Sequence, residues 1–329
     1  MNVDVVSNSI GNNGFGQYDD TLSNRDHVDF LKQYCAVPLH IQEKGTQKSA
    51  KESKPRAGST SVKIEHATDL AVNKNGEVVA GWREVDPSTV KVRGAGYSSW
   101  KKNKVDSPGD LYRCVKADVF ESQRRYPNMA DRVRLPRVKF DGEDGRKTWV
   151  SPDMFVISVS LPTGPNNKND CNDGPGYTVT MYYAMQQDTR DILRQITSDG
   201  YDSSYETNSD NKSKVNAVRL LEKWCREAPT DDKMMSRFKV LPRADNLEEI
   251  GLPSWISKFN GKPFLVKRPG TTGFLYTHPK RSVMEFDVSL HPFPFLAKKA
   301  IRCMKDSYFK KTIATFAFCL EGREEDELP

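Results

Sequence analysis

Five histidines and six cysteines are the first side chains to test for chemistry in this 329-residue chain. His27, His40, His66, His278 and His291 are scattered, and neither His278 nor His291 has a partner at ligand spacing, so each reads as a surface or turn residue. Cys35, Cys114, Cys171, Cys225, Cys303 and Cys319 show no metal-ligand spacing and are too few for a disulfide scaffold; they fit a reduced, intracellular chain. Neither Gly-x-Ser-x-Gly nor a phosphate loop is present, and Gly94-Ala95-Gly96 lacks the third glycine of a dinucleotide loop and reads as a tight turn. Asp170, Asn172 and Asp173 crowd one loop without a calcium-binding pattern. Asp118, Glu285 and Asp287 interrupt otherwise apolar strand patterns. Alternation places Glu285 and Asp287 on one face, where they read as cross-strand partners for Lys or Arg rather than as a paired acid and base. The chemistry-bearing residues therefore predict a non-catalytic protein without cofactor or metal.

Charge is the next guide. The formal net charge is +6, mildly basic. Basic clusters occur at 101–104, at 124–139 and along 298–311, each readable as a solvated face or as attraction to anionic headgroups. Lys101, Lys102, Lys104, Arg124 and Arg125 are the headgroup candidates. Closely spaced strand aromatics beside glycine, the mark of an RNA-recognition sheet, are missing, so no nucleic-acid partner is expected. The start, Met1-Asn2-Val3-Asp4, has neither a basic nor an apolar signal, and no apolar run approaches 18 residues; the expected location is cytoplasmic with peripheral membrane association. Asp326-Glu327-Leu328-Pro329 resembles an ER-retention tetrapeptide, but its final proline spoils it. Asn211-Lys212-Ser213 matches a glycosylation sequon by chance.

The elements that must position these groups follow from periodicity. Residues 1–77 are too polar to offset ordering entropy and read as a disordered tail and linker, with an apolar island at 28–39 that could dock on a partner. Residues 78–329 read as a single domain. Strands are predicted at 111–120, 154–161, 177–183, 238–243, 263–267, 273–278 and 283–290, with 154–161 and 177–183 pairing antiparallel and 263–267 forming a hairpin with 273–278. A further hairpin is expected around 141–145, with arms 138–140 and 148–150. Short helices are predicted at 187–196 and 215–226. Residues 295–320, free of internal Pro and Gly, carry Leu296, Ala300, Met304, Tyr308 and Phe316 at helical spacing and predict a long C-terminal helix. The fold class is α+β: a largely antiparallel curved sheet packed against that helix, in a helix-grip-like arrangement.

These segments together resemble a known family. Trp82 with Asp86-Pro87-Ser88, Val92-Arg93-Gly94 with Tyr97, Leu111-Tyr112-Arg113, Asp118-Val119-Phe120, Phe238 through Arg243, Gly261-Lys262-Pro263, Glu285-Phe286-Asp287-Val288 and Ala317 through Gly322 stand in the order of the C-terminal domain of the plant "enhanced disease resistance" proteins. The chain departs from that pattern at 121–150 and 198–236, which read as insertions, and lacks the pleckstrin-homology and lipid-transfer domains that precede this domain in the plant proteins. The resemblance implies a lipid-binding or membrane-associated regulator, with no catalytic residues to carry over. A lipid between sheet and helix would be lined by Ile157, Tyr182, Phe286, Leu296, Ala300, Met304, Tyr308 and Phe316. Two alternatives stay open: the same residues simply fill the core, or the protein is an interaction scaffold that binds partners through its N-terminal tail.

Overall fold

A computed structural model describes residues 2–5, 59–66, 81–97, 103–140, 147–163, 174–198, 200–201, 206, 209–251, 260, 264–265, 271–292 and 312–329. The strands are β1 (Asn2–Val5), β2 (Ser59–His66), β3 (Gly81–Trp82), β4 (Lys91–Arg93), β5 (Lys104–Asp106), β6 (Asp110–Ser122), β7 (Met154–Pro162), β8 (Gly176–Met185), β9 (Phe238–Ala244), β10 (Phe264–Leu265), β11 (Gly273–His278), β12 (Val283–Ser289) and β13 (Ala314–Leu320). Between β8 and β9 lie α1 (Gln187–Ile196), α2 (Ser209–Glu227) and the single turn α3 (Asp232–Met235).

One sheet dominates, in the order β10-β9-β13-β1-β6-β8-β7-β12-β11, with β2 beside the far end of β6. Most neighbours are antiparallel; β12 runs parallel to β7, and β1 parallel to β6. The strand patterns explain the two-sided burial. In β7, Phe155 and Ile157 face one side while Val156, Ser158 and Ser160 face the other; β8 matches them with Met181 and Tyr183 against Thr178, Thr180 and Tyr182.

The sheet curls on itself. Phe238 of β9 and Phe286 of β12 are six places apart in strand order, which in a flat sheet would separate them by roughly 29 Å at about 4.8 Å per step. Their ring centroids are 4.1 Å apart and nearly parallel. Phe155, Phe318 and Trp224 complete the cluster at 5.9–6.3 Å from Phe238 or Phe155. Trp224 arrives from α2, whose Val218, Leu221 and Cys225 also face the concave side, and its Nε1–H donates to the Met234 carbonyl at 2.9 Å. The helix covering this interior thus comes from within 198–236.

Several expectations are corrected. The C-terminal helix is not there over its last third: 314–320 is strand β13, paired with β9 and β1, while 293–311, with Leu296, Ala300, Met304 and Tyr308, lies outside the described residues. Ile313, Phe316, Ala317 and Leu320 have helical spacing, but Thr315, Phe316, Phe318 and Cys319 favour a strand, and burial on both faces erases the alternation that would have revealed one. The hairpin joining 263–267 to 273–278 does not form, because β10 pairs with β9 and β11 with β12, at opposite ends of the sheet. The arms expected at 138–140 and 148–150 are not strands. Two segments of the stretch read as a tail, β1 and β2, join the sheet; the remainder of 1–77 lies outside the described residues.

The last residues fold back onto this framework. Glu327 accepts from Arg237 and Lys223 and from the Arg323 N–H, and Asn216 of α2 donates to the Leu328 carbonyl at 3.0 Å. Leu328 is buried, and a Cβ on Gly322 would meet the Glu327 carbonyl oxygen at 2.8 Å, so only glycine lets the two segments approach. The tetrapeptide that resembles a retention signal is therefore part of the folded body. Burial alone would raise the Glu327 pKa, but the Arg323 N–H, Lys223 and the remaining donors bring it down to about 2. A depressed carboxyl stabilises the fold above its ordinary range and stops doing so as pH falls through the folded value. After correction for intrinsic exchange rates, amide protection over 323–328 is expected to fall as pH drops from the ordinary glutamate range toward about 2, and to lose that dependence in Glu327→Gln.

Candidate functional site

The convex face of the sheet carries a row of polar side chains where an apolar row would be ordinary. Glu285 and Asp287 stand on β12, Ser158 and Ser160 on β7, Thr178 and Thr180 on β8, and Asp118 on β6, all buried. The hydroxyls pair across strands, Ser158 with Thr180 at 3.2 Å and Ser160 with Thr178 at 3.4 Å. At the far end Lys116 pairs with Asp118 at 2.8 Å.

Over the β12 end of this row runs an extended strap, residues 124–140. It holds Arg124, Arg125, Arg132, Arg134, Arg137 and Lys139 against one acid, Asp131. Pro127 and Pro136 favour an extended path. Met129, Ala130, Val133, Leu135 and Val138 pack on the sheet or beside it, against Met154, Val156, Tyr182 and Val283 or against Phe120 and Tyr126. The buried acids then fasten the backbone. Asp287 Oδ2 accepts from the Asn128 N–H at 3.0 Å, and Glu285 accepts from Met129 and Ala130 N–H at 2.9 and 2.6 Å and from Ser158 Oγ at 2.7 Å. Three consecutive N–H groups converge because Asn128 sits at φ 54°, a left-handed conformation that asparagine tolerates, with its side chain 3.0 Å from His278 Nε2. Arg281 clamps the other side, both terminal nitrogens donating to the Ala130 carbonyl at 3.0 Å.

Glu285 and Asp287 do share a face, as the strand pattern predicts. Their partners are backbone N–H groups of the strap, not cross-strand cations. A third buried carboxylate repeats the device: Glu222 of α2 accepts from Val150 and Ser151 N–H at 2.8 Å, from Ser151 Oγ at 2.6 Å and from Arg226 at 3.0 Å. Burial alone would raise the Glu222 pKa, but these donors hold it below the usual range. Carboxylates occupied this way tie loops to the framework and have few lone pairs left for a substrate proton.

What the strap turns outward is positive. Arg134, Arg137 and Lys139 are exposed at alternating places between the half-buried Val133, Leu135 and Val138, and exposed Lys280 stands next to the clamping Arg281. Among the described residues Arg134, Arg137, Lys139 and Lys280 have no ion pair or hydrogen bond. Arg124 and Arg132 flank the Tyr126 ring, with guanidinium carbons 5.4 and 5.3 Å from its centroid.

The expected lipid-lining set divides. Ile157 and Phe286 meet on the concave face inside the aromatic cluster, and Phe316 packs at its margin. Tyr182 lies on the opposite, convex face among the strap contacts, since strand alternation separates it from its neighbour Met181. The headgroup set divides as well. Burial, and then the nearby charges of Lys239 and Arg93, lower the Lys104 pKa; Arg125 lies over Phe274, Arg124 over Tyr126, and Lys101 and Lys102 lie outside the described residues. The exposed cations at 134, 137 and 139 were visible as a basic run. Their common outward direction was not, because it follows from which strap residues the sheet buries, and Lys280 joins them only through the Arg281 clamp.

A family model described as Protein ENHANCED DISEASE RESISTANCE 2, C-terminal, matches residues 82–329. The chain belongs to this family. No curated protein and no solved structure matches the chain. The residues that carry the likeness to the enhanced disease resistance 2 C-terminal domain hold structural posts here. Asp86 caps the 3-10 turn Pro87–Thr89 by accepting from the Ser88 N–H at 2.9 Å. Glu321 gathers Arg93, Lys239 and Arg323. Phe286 enters the aromatic cluster while Glu285 and Asp287, on either side of it, reach through the other face to the strap. Among the described residues no helix is long and apolar enough to cross a membrane.

Proposed function

We propose that this member of the family is a non-catalytic regulatory module that attaches to anionic membrane surfaces through the convex strap. The supporting observation is the set of exposed cations at 134, 137, 139 and 280, without counter-ions among the described residues and borne on a backbone that the sheet holds in place. A cation near an anionic bilayer contributes about 1 kcal/mol, so three give about 3 kcal/mol, a factor of roughly one hundred in partitioning. Holding them on an anchored strap also reduces the ordering entropy lost on attachment. The aromatic cluster fills the described part of the concave side, which favours a lipid contacted at the surface over one enclosed between sheet and helix. The same filling suits the second reading, a scaffold that binds protein partners and is indifferent to lipid.

Flotation with vesicles containing phosphatidylserine, at low and at 0.5 M salt, separates the two. Wild-type chain is expected to float at low salt and to be released at high salt, as the screening length shrinks to a few ångströms. Arg134→Ala/Arg137→Ala/Lys139→Ala is expected to bind about one hundred times more weakly, while the same changes at Lys91, Lys223 and Lys233 leave binding within a few-fold. Equal binding by both triple variants would remove the strap from the membrane reading, and no flotation at low salt would leave the scaffold.

A further inference from the structure

We infer that the Glu285–Asp287 pair is a proton-controlled latch, which keeps the basic strap against the sheet while the pair holds a shared proton and lets it go when that proton leaves. The latch concerns the same strap as the membrane reading and rests on that reading only for what a released strap would do.

Asp287 has an unfilled side. Its Oδ2 takes the Asn128 N–H, but no N–H or O–H donor among the described residues reaches Oδ1, although the residue is almost wholly buried. The Glu285 carboxyl stands two residues away on the same strand face and takes the next two N–H groups, so the two carboxyls lie side by side. Two carboxyls hydrogen-bond only if one carries a proton, so the unfilled oxygen is the place for it. With the proton present, one carboxyl pair takes up the N–H groups of 128, 129 and 130 and the Ser158 hydroxyl. With it absent, two negative charges lie side by side in a buried row.

The groups facing the pair do not remove that repulsion. From β11 come Tyr276, whose own pKa is raised by burial and by Asp287, and Phe274; among the described residues β7 and β8 bring hydroxyls and Tyr182, and Asp118, three strands away on β6, is paired with Lys116. Among the described residues Arg125 of the strap is the cation whose charge favours ionised Asp287, and it lies near Tyr276 as well. Arg281 and His278 act on the strap from outside, through Asp131, Ala130 and Asn128. Burial, then the Glu285 charge and the bond to it, outweigh the Asn128 N–H and Arg125 and push Asp287 well above the ordinary carboxylate range. Once the strap lifts, water reaches Asp287 and its pKa returns toward about 3.9. Between those two values the closed form binds the extra proton, so closure is strongest in acid and weakens as pH rises.

Hydrogen exchange on the full chain reads this directly. After correction for intrinsic rates, protection of amides in 126–139 is expected to fall as pH rises above the ordinary carboxylate range toward the raised folded value of Asp287, by at most about tenfold per pH unit, the slope for release of one proton, while amides of β7 and β8 keep theirs. In Asp287→Asn the amide copies the protonated carboxyl, accepting from Asn128 and donating to Glu285, and the slope is expected to vanish with the strap closed. A flat wild-type profile would overturn the latch, and so would a slope that survives in Asp287→Asn, which would belong to His278. If Asp287→Asn loses protection in β7 and β8 too, the wild-type series combined with His278→Gln decides: a slope retained without the histidine supports the latch, and one lost with it overturns it. Vesicles play no part in these measurements, so the latch and the membrane reading fail separately.

Discussion

Phe238→Ala is expected to cost about 4 kcal/mol of folding stability, the loss typical of a buried phenylalanine truncated to alanine. Phe238 is fully enclosed and stacks on Phe286 while touching Phe155, Trp224 and Phe318. These rings come from β7, β9, β12, β13 and α2, so the side chain sits where the two ends of the curled sheet and its covering helix meet. Removing it takes away apolar burial and three stacked and one tilted ring contact, each worth about 0.5–1.5 kcal/mol beyond area. Against a total of about 5–15 kcal/mol, the variant would be marginal. Urea unfolding followed by tryptophan fluorescence measures the change. A loss below about 1 kcal/mol would show that this side of the sheet tolerates a void and would revive an enclosed lipid.

Glu222→Ala is expected to cost about 3 kcal/mol although it deletes no apolar contact. The carboxylate satisfies two backbone N–H groups and a hydroxyl at the entrance to β7, and its removal leaves the buried Ser151 N–H and hydroxyl, and the part-buried Val150 N–H, without an acceptor. Glu222→Gln retains one acceptor but turns an amide N–H toward another donor, so it should recover only part of the loss. The same denaturant titration checks both, with Arg226→Ala as the comparison: that arginine is largely exposed, and deleting it should cost under about 1 kcal/mol. Equal losses for Arg226→Ala and Glu222→Ala would mean that the surface ion pair, rather than the captured backbone, holds 150–151.

Much of the sheet is legible from alternation. The segments at 154–162, 176–185, 238–244 and 283–289 announce themselves by period and bounding turns, and the helix 187–196 by its apolar stripe. Pairing is harder to read. Nothing local in 264–265 tells it to join β9 instead of the nearer β11, because that choice is made by the curl of the sheet. The strand at 314–320 was hidden by burial on both faces, and the strap by having no regular element beyond the 3-10 turn Met129–Asp131. At the candidate site the acids and the basic run were each visible, but their meeting depends on contacts across more than 150 positions, between 128–130 and 285–287. Such contacts leave no period in a sequence.

The position of β13 also bears on how the protein is made. Strand β9 finds its long partner only in β13, so Phe238 and Val240 cannot take their final places until the segment beginning at Ala314 has emerged from the ribosome. A nascent chain stalled before that point would carry a finished half and, beside it, a strand β9 paired only with the two-residue β10. Translation of this protein therefore passes through a long interval in which chaperones have a sticky edge to guard, and premature termination anywhere in that interval yields a product prone to clump rather than a smaller working domain.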